Sequence, residues 1–272
     1  MSITAHRIVR AWLESLTSGV VELDHDWTNP DWPRFSFGEQ CPAPGALAPA
    51  PALAAGRAYG YFLNEAGEIV FLLPLEHGCD VDPGRDTVYL AGDFNNWQDA
   101  VGQDEWRLQL AELGGERVLV WKGDAARFLA TAGLRFKFVT GEHQWLVVPG
   151  DAPNLVSDEP GNINRLLDPH RTGWHLWQFT LTVPLDLAEP RLVTWAELAG
   201  DTPTAAGAGV PLVPGNFFFE LKSDLLLGAI VRGHETIFRL FAPRARSVSL
   251  FICRELAGQD AAQPFPLVRR PD

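Results

Sequence analysis

Short apolar runs separated by turn residues are the feature that most restricts how this chain can fold. Four of them, DTVYLAG, WRLQLAEL, ERVLVWKG and LRFKFV, follow one another between residues 86 and 139. Such runs are typical of antiparallel β-sandwiches. No sustained alternation of strand and helix patterns occurs, which disfavours a parallel-sheet enzyme fold. The pattern therefore predicts a mainly β protein.

The alternation is clearest in LRFKFV, where Phe136 and Phe138 fall on one face of the predicted strand. Lys137 falls on the opposite face, because successive side chains of a strand point to opposite sides. The segment AYGYFLNEAGEIVFLLPL, residues 58–75, has two apolar runs around the turn sequence NEAG. This arrangement predicts a β-hairpin.

Four segments depart from the strand pattern. Apolar residues of the N-terminal stretch recur at helical spacing and predict an amphipathic helix that ends near Leu16. The sequence CPAPGALAPAPALAAG, residues 41–56, predicts an extended linker, and so does the stretch 201–216. GDAARFLATAG predicts a short helix with Asp124 as its N-cap.

The charge of the chain limits its partners. The 272 residues carry a formal net charge of −12 and have a pI of about 5.0. Non-specific nucleic-acid binding needs a basic face, and anionic membrane surfaces attract basic segments. The composition therefore favours a neutral partner and disfavours both nucleic acid and membrane.

Compartment and redox state follow from two other features. No apolar run approaches the roughly 20 residues of a membrane span, and the N-terminus lacks the apolar core of a signal peptide. Cys41, Cys79 and Cys253 are odd in number and far apart. This spacing favours reduced thiols in a cytoplasmic protein.

The stretch VYLAGDFNNWQ places Trp97 in a polar turn after a predicted strand. Most of the ten tryptophans are expected to pack in the core, and Trp97 could do the same. A sugar ring, however, has an apolar C–H face and a rim of hydroxyls. It needs an exposed aromatic to stack on and polar side chains to bond its rim. Trp97 beside Asn95 and Asn96 fits that requirement.

Three motifs in order, VYLAGDFNNW, LRFKFVTGEHQW and DEPGNINRLL, resemble the glycogen- and starch-binding modules of carbohydrate-binding module family 48. The glycogen-binding domain of the AMP-activated kinase β subunit belongs to the same family. The resemblance covers about residues 86–167. It implies immunoglobulin-like antiparallel β-sandwich modules.

The resemblance also implies the residues that contact sugar. Trp97 and Trp145 match the two stacking tryptophans, and Lys137 matches the lysine that bonds sugar hydroxyls. Asn164 matches the closing asparagine, with Asn162 beside it. The family has an apolar contact where this chain has Pro160, and the segment between Trp97 and Lys137 is longer than usual. The extra ERVLVWKG and GDAARFLATAG could cover or reshape the groove.

The stretch SDLLLGAIVRGHETIFRLFAPRARSVSLFI, residues 223–252, resembles the opening of the sandwich that precedes the catalytic barrel in debranching and branching enzymes of the α-amylase clan, glycoside hydrolase family 13. The matching residues are Leu227, Gly228, Ala229, Phe238, Arg239, Ala242, Pro243, Ala245, Val248 and Leu250. About two strands of this second module are present, so we expect the chain to be the N-terminal part of a longer protein. Alternatively, the two strands complete the preceding sheet.

Catalytic and metal sites are not predicted. A catalytic barrel needs about 250 residues, and none of its strand motifs occurs here. The acids of CDVDPGRD do not follow a calcium-loop pattern, and His170 and His175 lack a third ligand. No catalytic residue, metal ligand or cofactor is assigned.

These observations predict four regions. They are an N-terminal helix, Pro/Ala-rich linker and hairpin (1–80), a glucan-binding-like sandwich (81–168), a β-rich connector and linker (169–216), and the start of a second sandwich (217–272). The favoured function is α-1,4-glucan binding beside the catalytic barrel of a pullulanase- or isoamylase-like parent chain. The alternatives are a docking module that binds no sugar and a regulatory glycogen-targeting subunit.

Overall fold

Strands make up most of the ordered elements, as the sequence pattern predicts. The computed structural model describes residues 6–38, 40–42, 46–75, 81–159, 161–199, 202–253 and 262–270. Its strands are β1 Ile8–Leu13, β2 Ser18–Leu23, β3 Phe35–Phe37, β4 Leu47–Pro49, β5 Tyr61–Leu63, β6 Glu68–Pro74, β7 Val88–Gly92, β8 Gln109–Leu113, β9 Glu116–Asp124, β10 Leu134–Thr140, β11 Leu155–Glu159, β12 Asn162–Leu167, β13 Leu176–Thr180, β14 Leu192–Ala199, β15 Thr202–Pro214, β16 Gly228–Arg232, β17 Glu235–Arg239, β18 Ser249–Ile252 and β19 Gln263–Pro266. Its helices are α1 Ala52–Tyr59, α2 Ala125–Leu129 and α3 Phe217–Glu220, with 3₁₀ turns at Trp97–Ala100 and Asp104–Trp106.

Two four-stranded antiparallel sheets form a β-sandwich, with strand orders β5-β6-β9-β8 and β11-β12-β10-β7. The alternation in β10 turns Phe136 and Phe138 inward, and both are buried. Phe136 packs edge-on against Phe71 of β6 across the sandwich, with ring centroids 4.9 Å apart. Aromatic packing of this kind joins the two sheets.

The predicted hairpin at 58–75 is confirmed as β5 and β6. The predicted short helix is confirmed as α2, where the Asp124 carboxylate accepts a hydrogen bond from the Ala126 backbone N–H. Phe128 of this helix is fully buried and contacts Phe71 and Trp121. The extra sequence between Trp97 and Lys137 therefore contributes to the core of the sandwich.

A seven-stranded sheet has the order β3-β14-β15-β1-β2-β13-β4. Its β1 and β15 run parallel, whereas the other pairs are antiparallel. Buried aromatic residues, among them Phe37, Trp177 and Phe179, form its core. The sheet draws strands from both sides of the sandwich in the sequence, so the segments before and after the sandwich fold together.

The predicted N-terminal helix is wrong over its described part, which forms β1 and the turn into β2. Residues 1–5 lie outside the described residues. Ala11 and Leu13 are buried within the sheet, and an irregular register between Ile8 and Arg10 disturbs the alternation in the sequence. Pairing on both edges of β1 satisfies its backbone, and this tertiary contribution outweighs a weak helical period.

The two predicted linkers are also wrong over their described parts; residues 43–45 and 201 lie outside the described residues. Residues 41–56 contain β4 and the start of α1. The helix forms in this stretch because alanine is a strong helix former. Gly60 then ends α1 in the left-handed conformation, φ 78°, with its N–H bonded to the Gly56 carbonyl. The second stretch contains the whole of β15, Thr202–Pro214, which pairs with β14 on one side and with β1 on the other.

The strands predicted after residue 216 are present as two separate pairs, β16 with β17 and β18 with β19. Cys41 and Cys253 are free thiols, and Cys79 lies outside the described residues. None of the helices in the described part is long and apolar enough to cross a membrane.

Replacing Phe136 by alanine should lower the free energy of unfolding by about 3–5 kcal/mol, because it leaves a cavity between the two sheets. Urea unfolding of both proteins would measure this difference. Leu110 on β8 is 51% exposed, so Leu110→Ala should stay within about 0.5 kcal/mol of the wild type. Equal losses in the two variants would contradict packing of the sheets through Phe136.

Candidate functional site

The turn after β7 is built by its own asparagine and glycine. Asn95 accepts a hydrogen bond from the Gly92 N–H at 2.9 Å and donates one to the Leu90 carbonyl at 2.9 Å. A Cβ at Gly92 would lie 2.4 Å from the carbonyl oxygen of Arg135 on the neighbouring strand. The glycine and asparagine of the GDFNNW motif are therefore required by the backbone.

Trp97 follows Asn96 in an unusual backbone conformation. Both residues have left-handed φ angles, 54° for Asn96 and 60° for Trp97. Bulky residues rarely adopt this region, and residues that do so concentrate at functional sites. The Trp97 indole is half-buried, and part of it packs against the core of the sandwich.

Trp145 reaches the same place from the far end of β10. A turn at residues 141–143 reverses the chain, and Leu146 then donates its N–H to the Phe138 carbonyl at 3.0 Å. Trp145 forms an isolated antiparallel bridge with Val139 of β10. Its ring centroid lies 6.0 Å from that of Trp97, with the planes at 67°.

The polar residues of the site come from the face of β10 and β12 that points away from the core. Lys137 is half-buried, and burial lowers its pKa whereas the nearby Asp158 carboxylate acts in the opposite direction. Asn162 is exposed at the start of β12, and Asn164 is only 1% exposed. The antiparallel pairing of β10 with β12 sets their spacing.

One open groove of about 250 Å³ brings together all five residues assigned from the sequence: Trp97, Lys137, Trp145, Asn162 and Asn164. Gln98 and Asp158 complete its lining. The segment ERVLVWKG does not cover the groove, because it forms β9 in the opposite sheet. Pro160 lies outside the described residues.

A chain of ion pairs runs beneath the groove. Arg135 donates from Nε and Nη2 to Asp93, at 3.0 and 2.9 Å, and from Nη1 to Asp158 at 2.8 Å. Asp93 also accepts a hydrogen bond from the Trp97 indole N–H at 3.1 Å. Burial opposes ionisation of Asp93, but the hydrogen bonds from Arg135 outweigh it and lower the pKa of Asp93. The tryptophan is thereby tied to β10.

Asp158 connects this chain to the two asparagines. It accepts hydrogen bonds from the side-chain amides of Asn162 at 2.7 Å and Asn164 at 3.1 Å. With their N–H groups held this way, both amides keep their oxygens as acceptors. The Lys137 ammonium has no hydrogen-bond partner among the described residues, so it remains available as a donor. The groove thus offers aromatic rings together with donors and acceptors.

Four of the residues that build this site were missed by the sequence analysis: Asp93, Gln98, Arg135 and Asp158. The alternation in LRFKFV could have indicated Arg135, since it shares the outward face of β10 with Lys137. The sequence held no signal for Asp93 or Asp158, because their role depends on an arginine that reaches both from another strand.

A larger depression, of about 350 Å³, is lined around Leu185–Arg191 and Pro211–Pro214 and has no aromatic residue in its lining.

Comparisons with known proteins give little further information. No protein-family model and no curated protein matches the chain. Among solved structures, it is similar to the pullulanase from Bacillus acidopullulyticus, with 16% identity and a TM-score of 0.32 over 97% of this chain. The chain spans 30% of that pullulanase.

The lowered pKa of Asp93 predicts how its contribution depends on pH. A carboxyl whose pKa is lower in the folded state stabilises the fold above its unfolded pKa of about 3.9. That stabilisation disappears as the pH falls through the folded value. Asp93→Asn should therefore unfold at lower urea than the wild type from pH 7 to pH 5, and this gap should close at acid pH.

Urea midpoints measured across this pH range for both proteins test the expectation. Asp99→Asn is the matched control, because Asp99 is exposed in the same loop and its carboxylate has no bond among the described residues. A gap of constant size down to the lowest pH would contradict the ion-pair role of Asp93.

Proposed function

We propose that the groove binds α-1,4-linked glucan chains such as those of glycogen and starch. The observation that carries this proposal is the convergence of Trp97 and Trp145 with Lys137 and the two asparagines in one open groove. Apolar rings at the groove suit the C–H face of a glucose residue, and the polar groups suit its hydroxyl rim. A neutral polymer also agrees with the acidic charge of the chain.

Each residue has a defined role in this proposal. Trp97 and Trp145 stack on sugar rings, and their angle of 67° suits a polymer that curves from one residue to the next. Lys137 donates to hydroxyl oxygens, whereas Asn162 accepts from hydroxyl protons. Asn164 is almost fully buried, so it acts from the wall of the groove.

The alternative is a docking module whose tryptophans pack on another protein surface. Both indoles are only half-buried, and β9 lies in the opposite sheet. Among the described residues, the groove is therefore open to a ligand. Lining by lysine and asparagine is also more polar than the core of a protein interface, from which lysine is depleted. Both observations favour sugar.

We further propose that this module belongs to the non-catalytic part of an α-amylase-clan glycoside hydrolase, with debranching as the parent activity. Support comes from the LGA and FRLFAP motifs, which form β16, β17 and the residues that follow. Binding here would raise the local concentration of glucan near a catalytic barrel. A regulatory glycogen-targeting subunit lacks these motifs.

Native affinity electrophoresis through gels with and without glycogen tests the binding proposal. The wild type should be retarded, and Trp97→Ala or Trp145→Ala should weaken binding roughly 30-fold, equivalent to about 2 kcal/mol of lost apolar burial. Trp174→Ala is the matched control, because Trp174 is 42% exposed outside the groove. If the wild type migrates equally in both gels, the glucan proposal is wrong.

Lys137→Met should weaken glucan binding roughly fivefold, since it removes a hydrogen bond worth about 1 kcal/mol to a neutral partner. The wild-type affinity should stay constant between about 0.05 and 0.5 M NaCl, because a neutral ligand gives no screened charge–charge attraction. Titration calorimetry with a linear malto-oligosaccharide measures both effects. A steep loss of affinity with salt would instead indicate a charged partner.

A further inference from the structure

A second cluster of functional side chains lies at one end of the β1–β2 pair. His6 lies two residues before the start of β1, whereas Asp24 and His25 directly follow β2. The two ends are adjacent because Ile8 pairs with Leu23 and the Asp24 N–H bonds the Arg7 carbonyl at 3.0 Å. Residues far apart in the sequence are thus brought together by the centre of the seven-stranded sheet.

The three side chains have the geometry of a ligand set. One potential ligand atom from each lies within 4.8 Å of the other two. The Nδ1 atom of His25 is 2.8 Å from Oδ1 of Asp24, and the His6 and His25 rings stack with centroids 3.9 Å apart. Small side-chain rotations would bring all three within reach of one ion.

His6 supplies the independent observation. Its Nδ1 atom is buried and has no hydrogen-bond partner. An unpaired buried nitrogen is costly, and a bound cation would satisfy it. Trp27, whose ring centroid lies 4.5 Å from that of His6, helps to fix the ring.

We propose that His6, Asp24 and His25 bind a divalent transition-metal ion such as Zn²⁺. Two imidazoles with one carboxylate suit zinc, and these three residues leave further positions for water. The ion would link the start of β1 to the end of β2 and so stabilise the seven-stranded sheet. This site is separate from the glucan groove and does not depend on it.

The positive charge of Arg7 lies beside the proposed metal ligand Asp24, and it offers a second test of the site. Its Nε lies 3.4 Å from Oδ2 of Asp24, and its backbone N–H also bonds that carboxylate. The guanidinium is exposed and competes with a cation for Asp24. Arg7→Gln should therefore tighten metal binding, because the backbone bond still orients the carboxylate.

Calorimetric titration of the chelator-treated chain with Zn²⁺ tests the proposal. We expect one ion per chain and a higher midpoint of thermal unfolding when Zn²⁺ is present. His6→Gln and His25→Gln should each weaken the affinity at least about tenfold. His234→Gln, an exposed histidine in the turn between β16 and β17, should leave it unchanged.

Any of three results would overturn the proposal. The first is the absence of saturable binding, and the second is binding that His234→Gln weakens as much as His25→Gln, which would indicate an adventitious ion only. The third is an unchanged affinity in Arg7→Gln, which remains informative if a histidine variant fails to fold. Retardation by glycogen should be the same with and without Zn²⁺, so failure here is distinguishable from failure of the glucan proposal.

Discussion

The packing of β10 against the opposite sheet is the interaction on which the candidate site depends. Phe136 and Phe138 are held in the core by contacts such as that between Phe136 and Phe71. Because side chains alternate along a strand, burying these two rings forces Arg135 and Lys137 to the outer face. The same strand therefore supplies the core of the sandwich and the polar side chains of the groove. Any loss of that packing would displace the groove as a whole.

Arg135 extends this constraint to the two flanks of the groove. Through Asp93 it holds the turn that carries Trp97, and through Asp158 it holds the amides of Asn162 and Asn164. The ligand we propose is neutral, so these charges do not attract it. They fix the geometry of the groove before binding, which would lower the entropy that the groove side chains lose when a ligand binds. A half-buried position raises the value of these ion pairs above that of an exposed pair.

The metal site proposed at His6, Asp24 and His25 would act on the other part of the fold. It lies where β1 and β2 end, in a sheet whose strands come from distant segments of the chain. The ion would hold together the open end of the β1–β2 hairpin, whose two strands lie near the middle of that sheet. The proposed glucan groove and the proposed metal site would thus serve different needs, ligand capture in one and sheet stability in the other.

The sequence by itself determined what depends on near neighbours. The alternation of LRFKFV assigned the inner and outer faces of β10, the NEAG turn assigned the hairpin, and Asp124 assigned the start of α2. The five groove residues were predicted from motifs that follow one another along the sequence. Only the folded chain shows that they share one groove and that Asp93 and Asp158 form ion pairs beside it. The tertiary structure alone decided β1 and β15. Ala11 pairs with Leu212, about 200 positions further along the chain. Backbone hydrogen bonds with distant partners stabilise β1 despite its helical spacing of apolar residues, and they stabilise β15 despite its Gly/Ala/Pro-rich sequence. Neither strand could be predicted from the sequence, because no local pattern records where its partner lies.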